Sequence, residues 1–378
     1  MTLFLTLASR NLFHDRVRLI ATVVGIVFSI VLVTVQLGVF LSFQDMVTTM
    51  IDHAQADFWI VPAETKSFED SSLLAGRERL HALSVDGVTD AIPVIVGYTS
   101  WRKPNGGASK SVLLVGAPIT ADGLYPWDVV EGSRDNLSVP DSVAIDRSYA
   151  TQLGVAHIGG KAEINNQKAR VVAMTRGIRS FTTTPYVFVD LKNARSLTGT
   201  PPDRVSDLLV RLKPDADRDK VIEAIRADVG DADVLTTAEF RERSRSFWLF
   251  GTGAGAALFA GALLGVIVGT VIVAQTLYSS TKDHLNEFAT LRAIGSSRNY
   301  IYKVIICQAL LNAVIGFSIA AMIGAAVVHM TASGALPIVI TPELMVALFV
   351  LTVVMCIVSA IAAIMKVTRI DPAMVFTR

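Results

Sequence analysis

The sequence predicts an α-helical membrane protein with four transmembrane helices and an α+β extracytoplasmic domain. That domain is inserted between the first and second spans on a helical stalk. Three observations predict this fold class. Four long runs carry no charge, basic residues cluster beside one set of span ends, and the chain between the first two runs has the composition of a soluble domain. Of 378 residues, 52% are hydrophobic and 18% charged, against roughly 25% charged in a soluble chain. Mean hydropathy is +0.50. The net charge of +1 gives no electrostatic basis for binding nucleic acid.

The uncharged runs are Leu19 to Phe43, Ser246 to Thr281, Val304 to Val328 and Leu344 to Met365. About 20 helical residues cross a hydrocarbon core about 30 Å thick. The runs must be helical, because lipid offers backbone N–H and C=O groups no partner. Spans are therefore expected at residues 19–44, 246–280, 304–330 and 344–365. The first is expected to stay as a span rather than be cleaved as a signal peptide. It is too long, and no small-residue cleavage site follows it.

Orientation follows from Lys and Arg near the span ends. Arg10, Arg16 and Arg18 precede span one, and Lys282, Arg292, Arg298 and Lys303 fill the loop 281–303. Lys366, Arg369 and Arg378 follow span four, while the loop 331–343 has no Lys or Arg. The tails 1–18 and 366–378 and the loop 281–303 are thus expected in the cytoplasm. Residues 45–245 and the short loop 331–343 are expected outside.

In the external domain, Phe43, Val47, Met50, Ile51 and Ala54 keep a helical apolar rhythm beyond span one. Ala238 to Phe247 reads as a helix running into span two. Together they form either an antiparallel stalk or ordinary loops near the membrane. Strands are expected at Asp57 to Val61, Ser111 to Gly116, Lys168 to Met174, Tyr186 to Val189 and Asp207 to Leu212. Helices are expected at Asp146 to Leu153 before Gly154, at Asp190 to Leu197 before Gly199, and at Pro214 to Val229 with Val221, Ile222 and Ile225 inward. Gly/Pro clusters near 104–107 and 200–202 suggest that Val112 to Pro201 is an inserted subdomain. Arg176, Arg179 and Phe181 lie in a Gly/Ser/Thr-rich stretch that forms either a partner-binding tip or a solvated loop.

Within span two, Gly253, Ala257, Gly261, Gly265 and Gly269 recur every four residues. Small residues on one helix face allow close approach in lipid. This face is expected to pack on a second subunit or on span one. Gln36, Gln275, Gln308 and Asn312 are polar groups within the spans, suited to hydrogen bonds between helices. No carboxylate lies in the middle of a span, which argues against an ion-coupled carrier. Gly251 to Gly255 (GTGAG) lacks the Gly-Lys-Ser/Thr of a phosphate-binding loop, and no nucleophile elbow occurs. Cys307 and Cys356 lie in apolar runs, and the six histidines show no metal-ligand spacing.

The loop 281–303 is the most informative segment. Leu285, Phe288, Leu291 and Ile294 share one face of a short amphipathic helix that Gly295 can end. Such a helix can lie in a partner's groove or on the lipid surface. Glu287 to Gly295 (EFATLRAIG) resembles the signature of the FtsX-like permease family, which includes MacB-, LolC/E- and DevC-type proteins. Leu7 to Leu12 (LASRNL), Gln308 to Gly316 (QALLNAVIG) and Arg369 to Phe376 (RIDPAMVF) resemble other parts of that family. Val35 to Gly38 (VQLG) and Thr184 to Phe188 (TPYVF) are similar to its DevC-like branch.

The resemblance implies a non-catalytic permease of an ABC transporter. Its loop would be a coupling helix seated on a separate ABC ATPase subunit. Phe288, Leu291 and Ile294 would form the docking face, Glu287 and Arg292 its polar edge, and Gly295 its end. No cofactor would bind this chain; ATP and Mg would be used by the partner ATPase. A second permease subunit would complete a homodimer in membrane lipids, and ATP-driven motion would be transmitted to the external domain. The expected location is the bacterial inner membrane, multi-pass, with both termini cytoplasmic. A periplasmic adaptor and an outer-membrane duct would serve export or extraction of a lipid, glycolipid or small amphiphile. Lipoprotein release and FtsX-type signalling are the alternatives within the family. A membrane receptor or scaffold without ATPase coupling is the alternative of another class.

Overall fold

The computed structural model describes residues 13–70, 72–103, 106, 108–119, 122–283, 298–332, 334 and 336–368. The chain forms two compact units. One comprises Met1–Leu41, Ala256–Ala332 and Pro337–Arg378, the other Ser42–Gly255 and Ser333–Leu336.

Four long helices dominate the first unit: Arg16–Met46, Ala254–Asp283, Arg298–Thr331 and Pro342–Thr368. Each is long and apolar enough to cross a membrane. Ile26, Ile30, Val273, Ile305, Ala309, Met355 and Cys356 form their shared core. Phe28, Leu263, Leu264, Val350 and Val354 are exposed on the opposite faces. Helices apolar on every side belong in lipid, which solvates the outer faces.

The second span begins later than the uncharged run suggests. A helix covers Thr237–Ser246, a π-helical turn covers Phe247–Gly251, and the span helix starts only at Ala254. Gly253 stands between them at φ +77°, a left-handed conformation that glycine adopts without steric cost. The helix expected at Ala238 to Phe247 is present, and the π-helical turn and Gly253 separate it from the span helix.

The other unit is an α+β domain. Its strands are β1 (Phe58–Pro62), β2 (Leu74–Ala75), β3 (Val88–Arg102), β4 (Lys110–Ala117), β5 (Val129–Gly132), β6 (Ser142–Asp146), β7 (Lys161–Ile164), β8 (Gln167–Thr175), β9 (Tyr186–Asp190), β10 (Arg204–Val205), β11 (Asp207–Leu212) and β12 (Ala232–Thr236). The main sheet runs β12-β1-β11-β3-β4-β9-β6-β8-β5, with β7 pairing both β3 and β8. The first part of β3 pairs with β11, and its second part pairs with β4. The segment from Val112 to Pro201 is joined to the rest of the domain through this strand and packs a core of its own that includes Val112, Val143, Tyr149 and Val187. It continues the same sheet, because β3 is 15 residues long and serves both halves.

Helix ends follow their caps. The Asp190 side chain accepts from the Lys192 N–H, and Gly199 closes Leu191–Thr198 in a left-handed conformation. The expected Pro214 start is too early: the Asp217 side chain caps Arg218–Asp228, which buries Val221, Ile222 and Ile225. Thr236 and Glu239 form a reciprocal capping box at the start of Thr237–Ser246. Packed against the sheet, Trp59, Phe68 and Phe240 are wholly buried and meet edge to face.

Candidate functional site

Glu287, Phe288, Leu291, Arg292, Ile294 and Gly295 lie outside the described residues, as do the motifs at 7–12 and 369–376. Among the described residues, close packing marks the helix faces of the membrane unit and the base of the external domain.

Three of the five small residues on span two meet span one of the same chain. A Cβ on Gly261 would come within 2.6 Å of Gln36 Nε2, and one on Gly265 within 3.1 Å of Val33. A Cβ on Gly269 would strike Ser29 and lie 3.0 Å from Met355 Sδ. The Ser29 hydroxyl donates to the Gly265 carbonyl at 2.7 Å, a bond possible only because the helices approach so closely. Span four adds a similar bond, from the Ser359 hydroxyl to the Thr270 carbonyl at 3.0 Å. Ala257 is exposed. Gly253 does not belong to the face: it precedes the helix, and a Cβ there would meet nothing within 4 Å. Its spacing matched the stripe, but its backbone turns the chain into the span.

At the base of the external domain, the two chain segments that enter and leave it are joined. Span one's helix ends at Met46, a turn follows, and Thr49–His53 resumes as a short helix. Val47, Met50 and Ile51 are buried. The Ser244 hydroxyl donates to the Val47 carbonyl at 3.1 Å, and Arg241 pairs with Asp52 at 2.5 Å. Thr48 also donates to Asp52, at 2.7 Å. The His53 ring stacks on Trp127 at 3.8 Å.

Phe181 closes this base. It packs edge-on against Phe43 at 5.0 Å and Trp248 at 4.4 Å between ring centroids. It is buried, which corrects its reading as part of an exposed tip. Its segment is pinned from beneath. The Asp146 carboxylate accepts from the Ile178 N–H at 2.8 Å and the Thr175 hydroxyl at 3.1 Å. The Tyr149 hydroxyl accepts from the Ser180 N–H at 2.9 Å. Arg179 is half-buried, and Arg176 alone of the three is exposed.

Glu69 is the polar centre of the base. The Tyr186 hydroxyl donates to its Oε1 at 2.9 Å, and the Trp248 indole N–H donates to its Oε2 at 3.1 Å. Burial pushes this carboxyl above the usual range, and hydrogen bonds from its own backbone, Tyr186, Ser67 and Trp248 oppose the shift. Burial first, and the Glu69 charge second, hold the Tyr186 phenol well above its ordinary value. Trp248 is thereby fixed both by an aromatic neighbour and by a buried hydrogen bond, at the π-helical turn. Such turns are uncommon and often mark functional positions. Sequence reading missed Glu69 and Trp248. Glu69 sits in a polar loop, and only long-range contacts bury it.

Among the described residues, no group of three or more His, Cys, Asp or Glu side chains is placed to hold a metal ion.

A family model described as the MacB-like periplasmic core domain matches residues 19–228. One described as the FtsX-like permease C-terminal matches residues 257–372. Uncharacterized ABC transporter permeases of Mycobacterium bovis and Mycobacterium tuberculosis are each 24% identical over 376 residues, covering 98% of this chain and 98% of their own. The periplasmic region of MacB from Actinobacillus actinomycetemcomitans is similar with a TM-score of 0.38 and 11% identity, over 51% of this chain and 94% of that one. The extracellular domain of the noncanonic ABC-type transporter YknZ from Gram-positive bacteria gives a TM-score of 0.33 and 12% identity, over 48% of this chain and 98% of its own.

Proposed function

The chain belongs to the ABC transporter permeases of the MacB and FtsX type, and from that membership we propose that it transmits the work of a separate ATPase to its external domain. The observation that carries this reading is the succession of the two family modules along a single chain with four membrane-spanning helices. This permease subunit is a multi-pass membrane protein. On the proposed reading it is itself non-catalytic, and ATP and Mg belong to the partner subunit. The same reading places it in the bacterial inner membrane, and the Lys and Arg bias at the span ends supports cytoplasmic termini.

The loop 281–303 is the proposed coupling element. Phe288, Leu291 and Ile294 form its docking face, and Glu287 and Arg292 supply polar contacts at the rim. Gly261, Gly265 and Gly269 already pack on span one. A second permease copy therefore has the exposed apolar faces of the spans, such as Leu263, Leu264 and Ile267, available to it. The cargo is proposed to be a lipid, glycolipid or small amphiphile, handed to a periplasmic adaptor and an outer-membrane duct. The DevC-like wording at Thr184 to Phe188 supports export over lipoprotein release or signalling.

Co-purification tests the coupling. Phe288→Asp and Leu291→Asp place a charge on the apolar face and are expected to abolish ATPase association while membrane insertion stays normal. Wild-type retention of the ATPase by both variants would instead fit a receptor or scaffold.

A further inference from the structure

The β7–β8 hairpin of the external domain builds a feature that the permease reading does not use. Both strands alternate. Ala162, Ile164, Ala169 and Val171 are buried, while Lys161, Glu163, Lys168 and Arg170 face outward. Across the ladder Glu163 stands opposite both Lys168 and Arg102 of β3, and Arg102 pairs with it at 3.2 Å. The next row sets Lys161 directly opposite Arg170. Directly opposed side chains in a sheet sit about 4.5–5.5 Å apart at Cβ, and like charges there are destabilising. Among the described residues, Lys103, Lys161, Lys168 and Arg170 make no ion pair.

These side chains line a groove of about 1060 Å³, with exposed Val139 and Pro140 at one side and Asp141 and Glu163 as its carboxylates. The bias runs against the rest of the domain. From Asp45 to Arg245 the chain holds 24 Lys and Arg against 28 Asp and Glu. Five cations against two carboxylates in one concavity is thus a local reversal of sign. Local repulsion between Lys161 and Arg170 is relieved when a multivalent anion lies between them.

We propose that this groove is a binding site for a phosphate-bearing ligand, anchored by Lys161 and Arg170. A guanidinium grips a phosphate through two parallel N–H donors, and an ammonium adds a compact charge. Cations set side by side on neighbouring strands suit a compact anion better than an extended acidic chain, which needs no such pairing. Ligand pockets commonly enclose about 300–1,000 Å³, and this groove, at about 1060 Å³, is just above that range. Lys168, Lys103 and Arg102 line the same groove, and Val139 and Pro140 offer an apolar contact to the remainder of the ligand.

The test uses the full chain in phosphatidylcholine nanodiscs, titrated calorimetrically with inorganic pyrophosphate and, separately, with water-soluble dihexanoyl phosphatidic acid. Binding by either probe is expected, weakening as salt rises from about 0.1 M to about 1 M. Phosphatidic acid alone would identify a lipid headgroup site, pyrophosphate alone a free-phosphate site, and competition between them the shared phosphate chemistry. The double variant Lys161→Glu/Arg170→Glu alters only exposed side chains and should weaken binding tenfold or more. The control Lys192→Glu/Lys220→Glu changes net charge equally elsewhere and should leave binding intact. No binding of either probe by the wild-type chain would overturn the proposal, as would equal losses in both variants. The assay needs no ATPase, so its failure leaves the permease reading untouched.

Discussion

In the membrane unit, the Ser29 and Ser359 hydroxyls donate to carbonyls of span two, and Gly261, Gly265 and Gly269 let span one lie against it. In the external unit, a buried carboxylate, Glu69, holds Tyr186 and Trp248 through one oxygen each. The two arrangements restrain movement differently. Small-residue packing fixes how near two helices come, and a small slide keeps most of its contacts. The Glu69 bonds fix position, since displacing Trp248 leaves a buried carboxyl oxygen without its donor. The base of the external domain is therefore the stiffer element, and the helix contacts are the more permissive one.

Removing the aromatic plug should show this stiffness most strongly. Phe181→Ala is expected to destabilise the domain by about 3–5 kcal/mol, the usual cost of deleting a buried phenyl ring. Thermal unfolding would measure the loss, and hydrogen exchange would locate it at residues 176–183. A change below about 1 kcal/mol would mean that Asp146 and Tyr149 hold the segment without help from Phe181. The permissive element is tested by Gly269→Leu, which drives a branched side chain into Ser29 and Met355. Overpacking of this kind costs about 1–3 kcal/mol, read from unfolding in mixed detergent micelles. Full tolerance would make the helix contacts looser than their geometry implies.

The difference between the units also explains what was legible in the sequence. Spans announce themselves through local length and the absence of charge, so all four were readable. The start of the second span's helix was not legible, because a π-helical turn and Gly253 are invisible in an uncharged run. Asp190 with Gly199 was readable because a cap and a left-handed stop are local signals. The 15-residue β3 was not, since Pro93 and Gly97 break its pattern and its two halves face different partners. Phe181 was misplaced for a related reason. Its Gly/Ser/Thr neighbours read as solvated, but Phe43 and Trp248, far away in sequence, cover it. The cationic row of β7 and β8 was likewise out of reach, because the register that opposes Lys161 to Arg170 exists only once the hairpin forms.

Asp207 sharpens the comparison by offering a buried carboxyl without such donors. It is 1% exposed, and its Oδ2 has no hydrogen-bond partner among the described residues. Burial, followed by the charge of Asp70, pushes it well above the usual carboxylate range. A folded-state value above the unfolded one means that stability is full below the unfolded value and falls as pH rises toward the folded value. Asp207→Asn removes that loss. It is expected to stabilise the domain by about 1–2 kcal/mol at pH 7, with the advantage closing as pH falls to about 4, near the unfolded carboxyl's value. An advantage that grew toward acid pH would show that Asp207 is ionised in the fold and stabilised by an interaction other than these.

The smallest effect is expected at Arg176, and it separates shape from contact. Its backbone N–H donates to the Asp128 carbonyl at 3.0 Å, a bond that alanine keeps, while its side chain is exposed. Arg176→Ala should therefore change unfolding by no more than about 0.5 kcal/mol. A larger loss would make the guanidinium part of the structure that holds Phe181. Unchanged stability combined with weaker co-purification of an external partner would separate the two roles of one segment: Phe181 anchors it from within, and Arg176 presents it outward.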